Sequence, residues 1–199
     1  QRVPIAQKAI TQRARERRVP VILATQVLES MTVEGRPTRA EVSDAANAVS
    51  DGVDAIMLSG ETASGAFPVR SVQTLDMIIR EAESGLPHDR QTVALRSGPD
   101  HAEAICEAAV TLAERGRADA IVAVTRGGGT ARRLSALRPS VPILATTTRD
   151  DAARRLAPYW GVVPVCLDMG EYVDLGGTHI GPQLVERGLV PAGGCVVLV

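Results

Sequence analysis

A chain of 199 residues, 45% apolar and 23% charged, has the composition of a globular protein with enough apolar material to bury a core. Its 22 basic and 23 acidic residues nearly cancel, which argues against a basic nucleic-acid surface or an acidic tail and favours small ligands. Aromatic residues make up 2%, so the core must come from Val, Ile, Leu and Ala, as where helices cover both faces of a sheet.

In chain order, Ile5, Ala9, Ile10 and Ala14 recur near helical spacing and predict a helix over 5–18. A strand follows at 20–25, where the apolar run Val21–Ala24 stops abruptly in Thr25 and Gln26. In "PTRAEVSDAANAVSDG", Thr38 with Glu41 three residues on forms a capping box and Gly52 closes the helix. The second strand is "DAIMLS", 54–59, and a helix over 68–84 presents Val72, Leu75, Ile78, Ile79 and Ala82 as its buried stripe. Residues 85–99 lose the periodicity and gather Gly, Pro and charge, which marks a linker. Alternation then restarts: helix 101–115, strand 119–125, helix 129–137, strand 142–147, helix 150–157, strand 162–167, helix 178–187 and strand 195–199. The expected organisation is one β/α part over 1–84 and a second α/β domain over 100–199.

Parallel strands joined by helical crossovers form either an open doubly wound sheet or a closed barrel, and two units leave both open. Either architecture gathers ligands at the carboxyl ends of its strands. In the first part those ends are Thr25–Gln26 and Ser59–Gly60–Glu61–Thr62. In the second, "TRGGGTARR" joins a strand to a helix. Its glycines free backbone N–H groups to turn toward a ligand, and a helix amino end adds partial positive charge, which together suit a phosphate. Thr125, Arg126 and Thr130 add side-chain donors, with Arg132 or Arg133 as a further contact. The pattern is neither GxGxxG nor GxxxxGK[ST], so neither a Rossmann dinucleotide site nor a P-loop follows.

Glu29 and Glu34 carry no sign of a catalytic pair, and His88, His101 and His179 read as surface or capping residues. Tyr159 and Trp160 read as packing against a sheet. Cys106, Cys166 and Cys195, odd in number and widely spaced, read as buried thiols of a reducing cytoplasm and not as a disulfide framework or zinc site. No signal peptide and no apolar run of about 18 residues occurs, so no membrane partner is expected. The sequence begins with Gln1, which fits a processed protein, an excised piece or an incomplete gene.

The stretches "ATQVLESM", "RPTRAEVSDAANAVSDGVDAIMLSGETASGAFP" and "IIREAE" closely resemble the last third of the catalytic barrel of pyruvate kinases. "AIVAVTRGGGTARRLSALRPSVPILATT" and "LAPYWGVVPV" resemble the family's carboxyl-terminal regulatory domain. The resemblance implies the closed barrel: an α/β protein comprising the last β/α units of a TIM (β/α)8 barrel, followed by an α/β domain with a mainly parallel sheet. It implies that Thr25 contacts the carboxylate of phosphoenolpyruvate or pyruvate. Gln26 and Ser59 would belong to the hydroxyl and water network that protonates the enolate, with Gly60 and Glu61 as the supporting loop; Glu61 reads as an acceptor of backbone hydrogen bonds and not as a base. Thr125, Arg126, Gly127, Gly128, Gly129 and Thr130 would bind the phosphate of an activator. The family further implies Mg²⁺, often K⁺, ADP/ATP as co-substrate, a phosphorylated metabolite activator and a cytoplasmic homotetramer.

The family's catalytic lysine and its metal-binding Glu and Asp lie ahead of the segment matched by Gln1. The chain is therefore expected to be a fragment, inert alone, with a non-catalytic phosphometabolite-binding module as the alternative. Ser64 stands where many members carry Lys or Asn near the nucleotide, and the chain stops in strand 195–199, before the loop and last strand that usually complete the effector pocket.

Overall fold

The computed structural model describes residues 2–24, 26–85, 101–167 and 179–199. Thr25, His88 and, apart from Gly85, the expected linker 85–99 lie outside the described residues. The chain divides into two compact units, 1–90 and 91–199.

In the first unit, α1 (Val3–Glu16) starts two residues earlier than the periodicity predicts, because Pro4 suits a first turn, where its missing N–H is not needed. Strand β1 (Ile22–Ala24) leads into a single 3-10 turn, Glu29–Thr32, that the periodicity does not reveal. Helix α2 (Arg39–Asp51) has the expected ends: Thr38 and Glu41 form a reciprocal capping box and Gly52 closes the helix at φ +88°. Strand β2 (Ala55–Met57) pairs parallel to β1, Ile22 facing Ala55 and Ala24 facing Met57. A four-residue helix, α3 (Gly60–Ala63), and α4 (Pro68–Ser84) follow. The core is Val27, Leu28, Met31, Ala45 and Leu75, joined by the partly buried Leu23, Ile56, Ile78 and Ile79. The buried stripe of α4 differs from the expected one. Val72 is 53% exposed, and Ser71, whose hydroxyl donates to the Phe67 carbonyl at 2.9 Å, occupies the covered side instead. A small, internally satisfied residue suits a helix packed closely on α2.

The second unit runs α5 (His101–Arg115), β3 (Ala120–Val124), α6 (Gly129–Leu137), β4 (Ile143–Thr147), α7 (Asp150–Leu156), β5 (Val162–Cys166), α8 (Ile180–Glu186) and β6 (Val196–Leu198). Its strands are all parallel, in the order β5-β4-β3-β6. Alternation along each strand feeds two cores. Ile121, Ala123, Ile143 and Ala145 point to a face shared with α5, α6 and Leu156, while Ala120, Val122, Leu144 and Val165 meet Ile180 and Leu184 of α8. This is a doubly wound sheet. The chain moves outward from β3 to β5 and returns through α8 to β6 on the other side of β3, so the topological switch lies at β3. Cys106 is buried as expected, but Cys166 and Cys195 are exposed. Cys166 ends the outer strand β5 and Cys195 precedes the outer strand β6, where one side of the backbone has no neighbouring strand among the described residues.

Candidate functional site

Because β1 and β2 are parallel and in register, the chain leaves both from the same edge, at Gln26 and Ser59. Gln26 is exposed and has φ +52°, a left-handed conformation that costs a non-glycine residue on the order of 1 kcal/mol. Ser59 is half-buried, ahead of α3. Between them stands Glu61, 1% exposed. Its Oε1 accepts the Leu28 N–H at 3.1 Å and its Oε2 accepts the Ser59 N–H at 2.8 Å, so one buried carboxylate ties together the loops leaving both strands. Burial is the largest influence on this carboxyl and pushes it up. The N–H groups of Glu61 itself, Ser59 and Leu28 together outweigh burial and the nearby charge of Glu41, holding Glu61 below the usual carboxylate range. An ionised acceptor fully engaged by backbone donors suits a structural tie and has little capacity left to act as a base.

A second carboxylate was only half legible. The spacing of Thr38 and Glu41 reveals the cap, but Glu41 also reaches back to the 3-10 turn: its Oε1 accepts the Ser30 N–H at 2.7 Å and its Oε2 accepts the Ser30 hydroxyl at 2.6 Å. Burial raises this group, yet the bonds from the Ser30 hydroxyl and N–H and the Thr38 N–H and hydroxyl lower it from 4.5 to about 2. Gly65 closes the neighbouring loop, where a Cβ would stand 2.7 Å from the Glu61 carbonyl oxygen. Thr62 is half-buried beside Glu61, while Glu29 and Glu34 are exposed and Ser64 is exposed at the end of α3.

In the second unit the glycine-rich turn leaves β3 at the topological switch, where open α/β sheets form their ligand crevice. Thr125 is buried; its N–H donates to the Thr146 carbonyl at 2.9 Å, and its hydroxyl oxygen accepts the Gly128 N–H at 2.9 Å. The Thr125 hydroxyl retains its own hydrogen for a further acceptor. Gly128 has φ +86° and sits against Leu156, whose Cδ2 would lie 2.9 Å from an added Cβ. Gly127 faces open space. Arg126 and Gly127 are exposed, Gly129 and Thr130 half-buried, and the amino end of α6 carries no side-chain cap, leaving first-turn N–H groups to a ligand. Arg132 is exposed on α6 and Arg133 half-buried.

At the other end of α6 lies an arrangement that the sequence reading missed. Arg138, buried and left-handed at φ +56°, donates through Nη1 to the Ser135 carbonyl at 3.0 Å and lies 5.1 Å from the centroid of the Trp160 ring. The Ser135 hydroxyl donates to the Trp160 carbonyl at 2.8 Å. These contacts fix the carboxyl end of the helix whose amino end follows the glycine-rich turn. Tyr159 packs against the core, as its position between helix and strand suggested. His101 begins α5, and His179 lies at the amino end of α8. Among the described residues no group of three His, Cys, Asp or Glu could hold a metal ion, and no helix is long and apolar enough to cross a membrane.

The sequence model of the pyruvate kinase barrel domain matches residues 1–72, and that of the pyruvate kinase alpha/beta domain matches residues 103–199. Pyruvate kinase of Clostridium acetobutylicum is 43% identical in an alignment covering 100% of this chain and 42% of that protein. The Mycobacterium intracellulare pyruvate kinase is 41% identical, over 99% of this chain and 41% of its own length. Crystal structures of a pyruvate kinase from Cryptosporidium parvum superpose with TM-scores of 0.91 and 0.90 at 35% and 36% identity, covering all of this chain and 41% and 42% of theirs. The chain thus spans about two-fifths of the length of these relatives.

Proposed function

The chain belongs to the pyruvate kinase family, with the end of the catalytic barrel followed by the carboxyl-terminal α/β domain, and from this we propose that it forms part of an enzyme moving the phosphoryl group of phosphoenolpyruvate to ADP. The observation that carries this reading is the pair of strand ends joined through Glu61, which binds the loops bearing Gln26 and Ser59 into one unit. In this reading Thr25 binds the substrate carboxylate. Gln26 and Ser59 order the hydroxyl and water network that delivers a proton to the enolate carbon, completing pyruvate; Gly60 and Glu61 hold that loop. Residues 1–84 are assigned to the barrel, 85–99 to the linker and 100–199 to the regulatory domain.

Mg²⁺ and K⁺ are assigned to the rest of the enzyme, because the family's metal-binding Glu and Asp lie ahead of the segment matched by this chain, and ADP/ATP is assigned as co-substrate. The metal ions would neutralise charge on the phosphoryl group. The proposed assembly is a cytoplasmic homotetramer. The test is to read the gene upstream of the codon for Gln1 and to assay the complete polypeptide and the 199-residue chain for pyruvate formation from phosphoenolpyruvate and ADP. The expected result is turnover by the former and none by the latter. Absence of turnover in the complete polypeptide overturns the catalytic reading, and turnover by the short chain overturns its assignment as an inert part.

A second role rests on a separate observation, the buried Thr125–Gly128 bond that shapes an exposed glycine turn at the switch point. Thr125, Arg126, Gly127, Gly128, Gly129 and Thr130 are proposed to bind the phosphate of a metabolite activator. Titration with a hexose phosphate and a nucleoside monophosphate should shift the amide signals of 126–130 saturably. Absence of a saturable shift at millimolar ligand removes this role.

A further inference from the structure

Glu41 receives more donors than a helix cap requires. A capping box needs the N-cap N–H returned to the side chain three residues on, and the Thr38 N–H fills that role on Oε2 at 2.7 Å, with the Thr38 hydroxyl at 2.8 Å. Both further donors come from Ser30, eleven residues upstream in the turn that follows β1 and Gln26. They contribute nothing to the helix end and instead fasten the turn to α2.

The fastened turn lies between the two strand-end loops. The Met31 N–H donates to the Leu28 carbonyl at 2.8 Å, and the Leu28 N–H in turn donates to Glu61, which also holds Ser59. On the other side the Ala66 N–H donates to the Thr32 carbonyl at 2.8 Å, and Gly65 packs so closely that a Cβ would lie 3.1 Å from Thr32 Cα. A shift of Ser30 is therefore passed to Gln26 through Leu28 and to Ser59 through Glu61. The backbone of Gln26 is already in a strained conformation at φ +52°, so it depends on its surroundings to stay there.

We propose that Glu41 is a positioning residue for proton delivery to the enolate, holding the 3-10 turn so that Gln26 and Ser59 stay aligned. The inference rests on the catalytic reading of these strand ends. Glu41 itself exchanges no proton with substrate: the proton reaches the enolate carbon from the network at Gln26 and Ser59.

The test uses the complete polypeptide. Glu41→Gln keeps the size but turns one acceptor into a donor, so it cannot serve all four partners. The expected result is a fall in kcat of about tenfold or more with KM for ADP unchanged, together with a larger solvent deuterium isotope effect on kcat as proton delivery becomes limiting. Ser30→Ala should give a smaller change of the same kind, and the double variant should fall no further than Glu41→Gln alone. A lowered kcat with an unchanged isotope effect is loss of folded enzyme and overturns the proposal, as does a wild-type kcat. If the unsubstituted polypeptide makes no pyruvate, the catalytic reading fails and amide exchange decides the positioning claim. Glu41→Gln must then speed exchange at Leu28 and Ser59 about tenfold while sparing the middle of α4, and no change there overturns it.

Discussion

The two units use the same β/α pattern with different completeness. In the second, four parallel strands are covered by α5, α6 and α7 on one face and α8 on the other, and Ile121, Leu134, Ile143 and Leu144 are all but inaccessible. In the first, β1 and β2 have only each other among the described residues; Ile22 is 51% and Met57 47% exposed, and Ile5 and Ile10 of α1 remain open to solvent. Parallel strands are stable where both faces and both sides are occupied. The contrast shows that residue pattern specifies an element and its pairing register, while burial depends on what stands beside it. The two proposed activities divide accordingly: the turn at Thr125 stands on a sheet covered on both faces, whereas the strand ends at Gln26 and Ser59 stand on a pair held by polar ties.

The largest expected difference is in amide exchange of the 199-residue chain. Amides in β3 and β4 should exchange at least about 10³-fold more slowly than those in β1 and β2, since only the former lie in a covered sheet. Equal protection in the two sheets would erase the contrast. A smaller effect concerns the polar ties. Glu41, at about 2 in the folded state against 4.5 ordinarily, contributes stability that is fully present above pH 4.5 and is lost as pH falls toward 2. The contribution is at most about 3 kcal/mol, less after solvent screening. Urea unfolding of the complete polypeptide should therefore show a drop in stability across that window that Glu41→Gln flattens. Glu61, also held low, adds a loss of the same sign. A drop of unchanged size in the variant would assign it to other carboxylates.

Much of this architecture was legible in the sequence. Helices α4, α5 and α6 have the predicted bounds, because Pro68 and Gly129 mark starts and the periodicity is sustained between them. Strands came out shorter by one to three residues, although backbone bonds continue just beyond them: ahead of β2 the Asp54 N–H donates to the Val21 carbonyl at 2.9 Å and the Asp54 carboxylate accepts the Val21 N–H at 2.9 Å. The 3-10 turn Glu29–Thr32 and α3 were missed because neither is long enough to show a period. Val72, Cys166 and Cys195 were expected inside, yet chemical type alone does not reveal which face a neighbour covers. At the site, Gln26 and Ser59 could be singled out as strand ends, but the ties from Glu41 to Ser30 and from Glu61 to Leu28 connect residues far apart in sequence. No local spacing announces them.

The smallest effect separates two adjacent glycines of the second unit. Gly128→Ala must place a Cβ 2.9 Å from Leu156 Cδ2 and keep φ at +86°. Leu156 is 2% exposed and packed in the core, so it cannot simply swing away. Strain and overpacking together should cost about 2 kcal/mol in urea unfolding of the second unit. Gly127→Ala meets nothing within 4 Å and should change stability by less than about 0.5 kcal/mol. If both substitutions were neutral, the turn would be pliable and the Thr125–Gly128 bond would not define a preformed phosphate cradle. If only Gly128 resists, the turn is rigid before any ligand arrives, and Gly127→Ala becomes the probe of binding: its methyl group stands on the exposed side, where it can weaken phosphate contact without disturbing the fold.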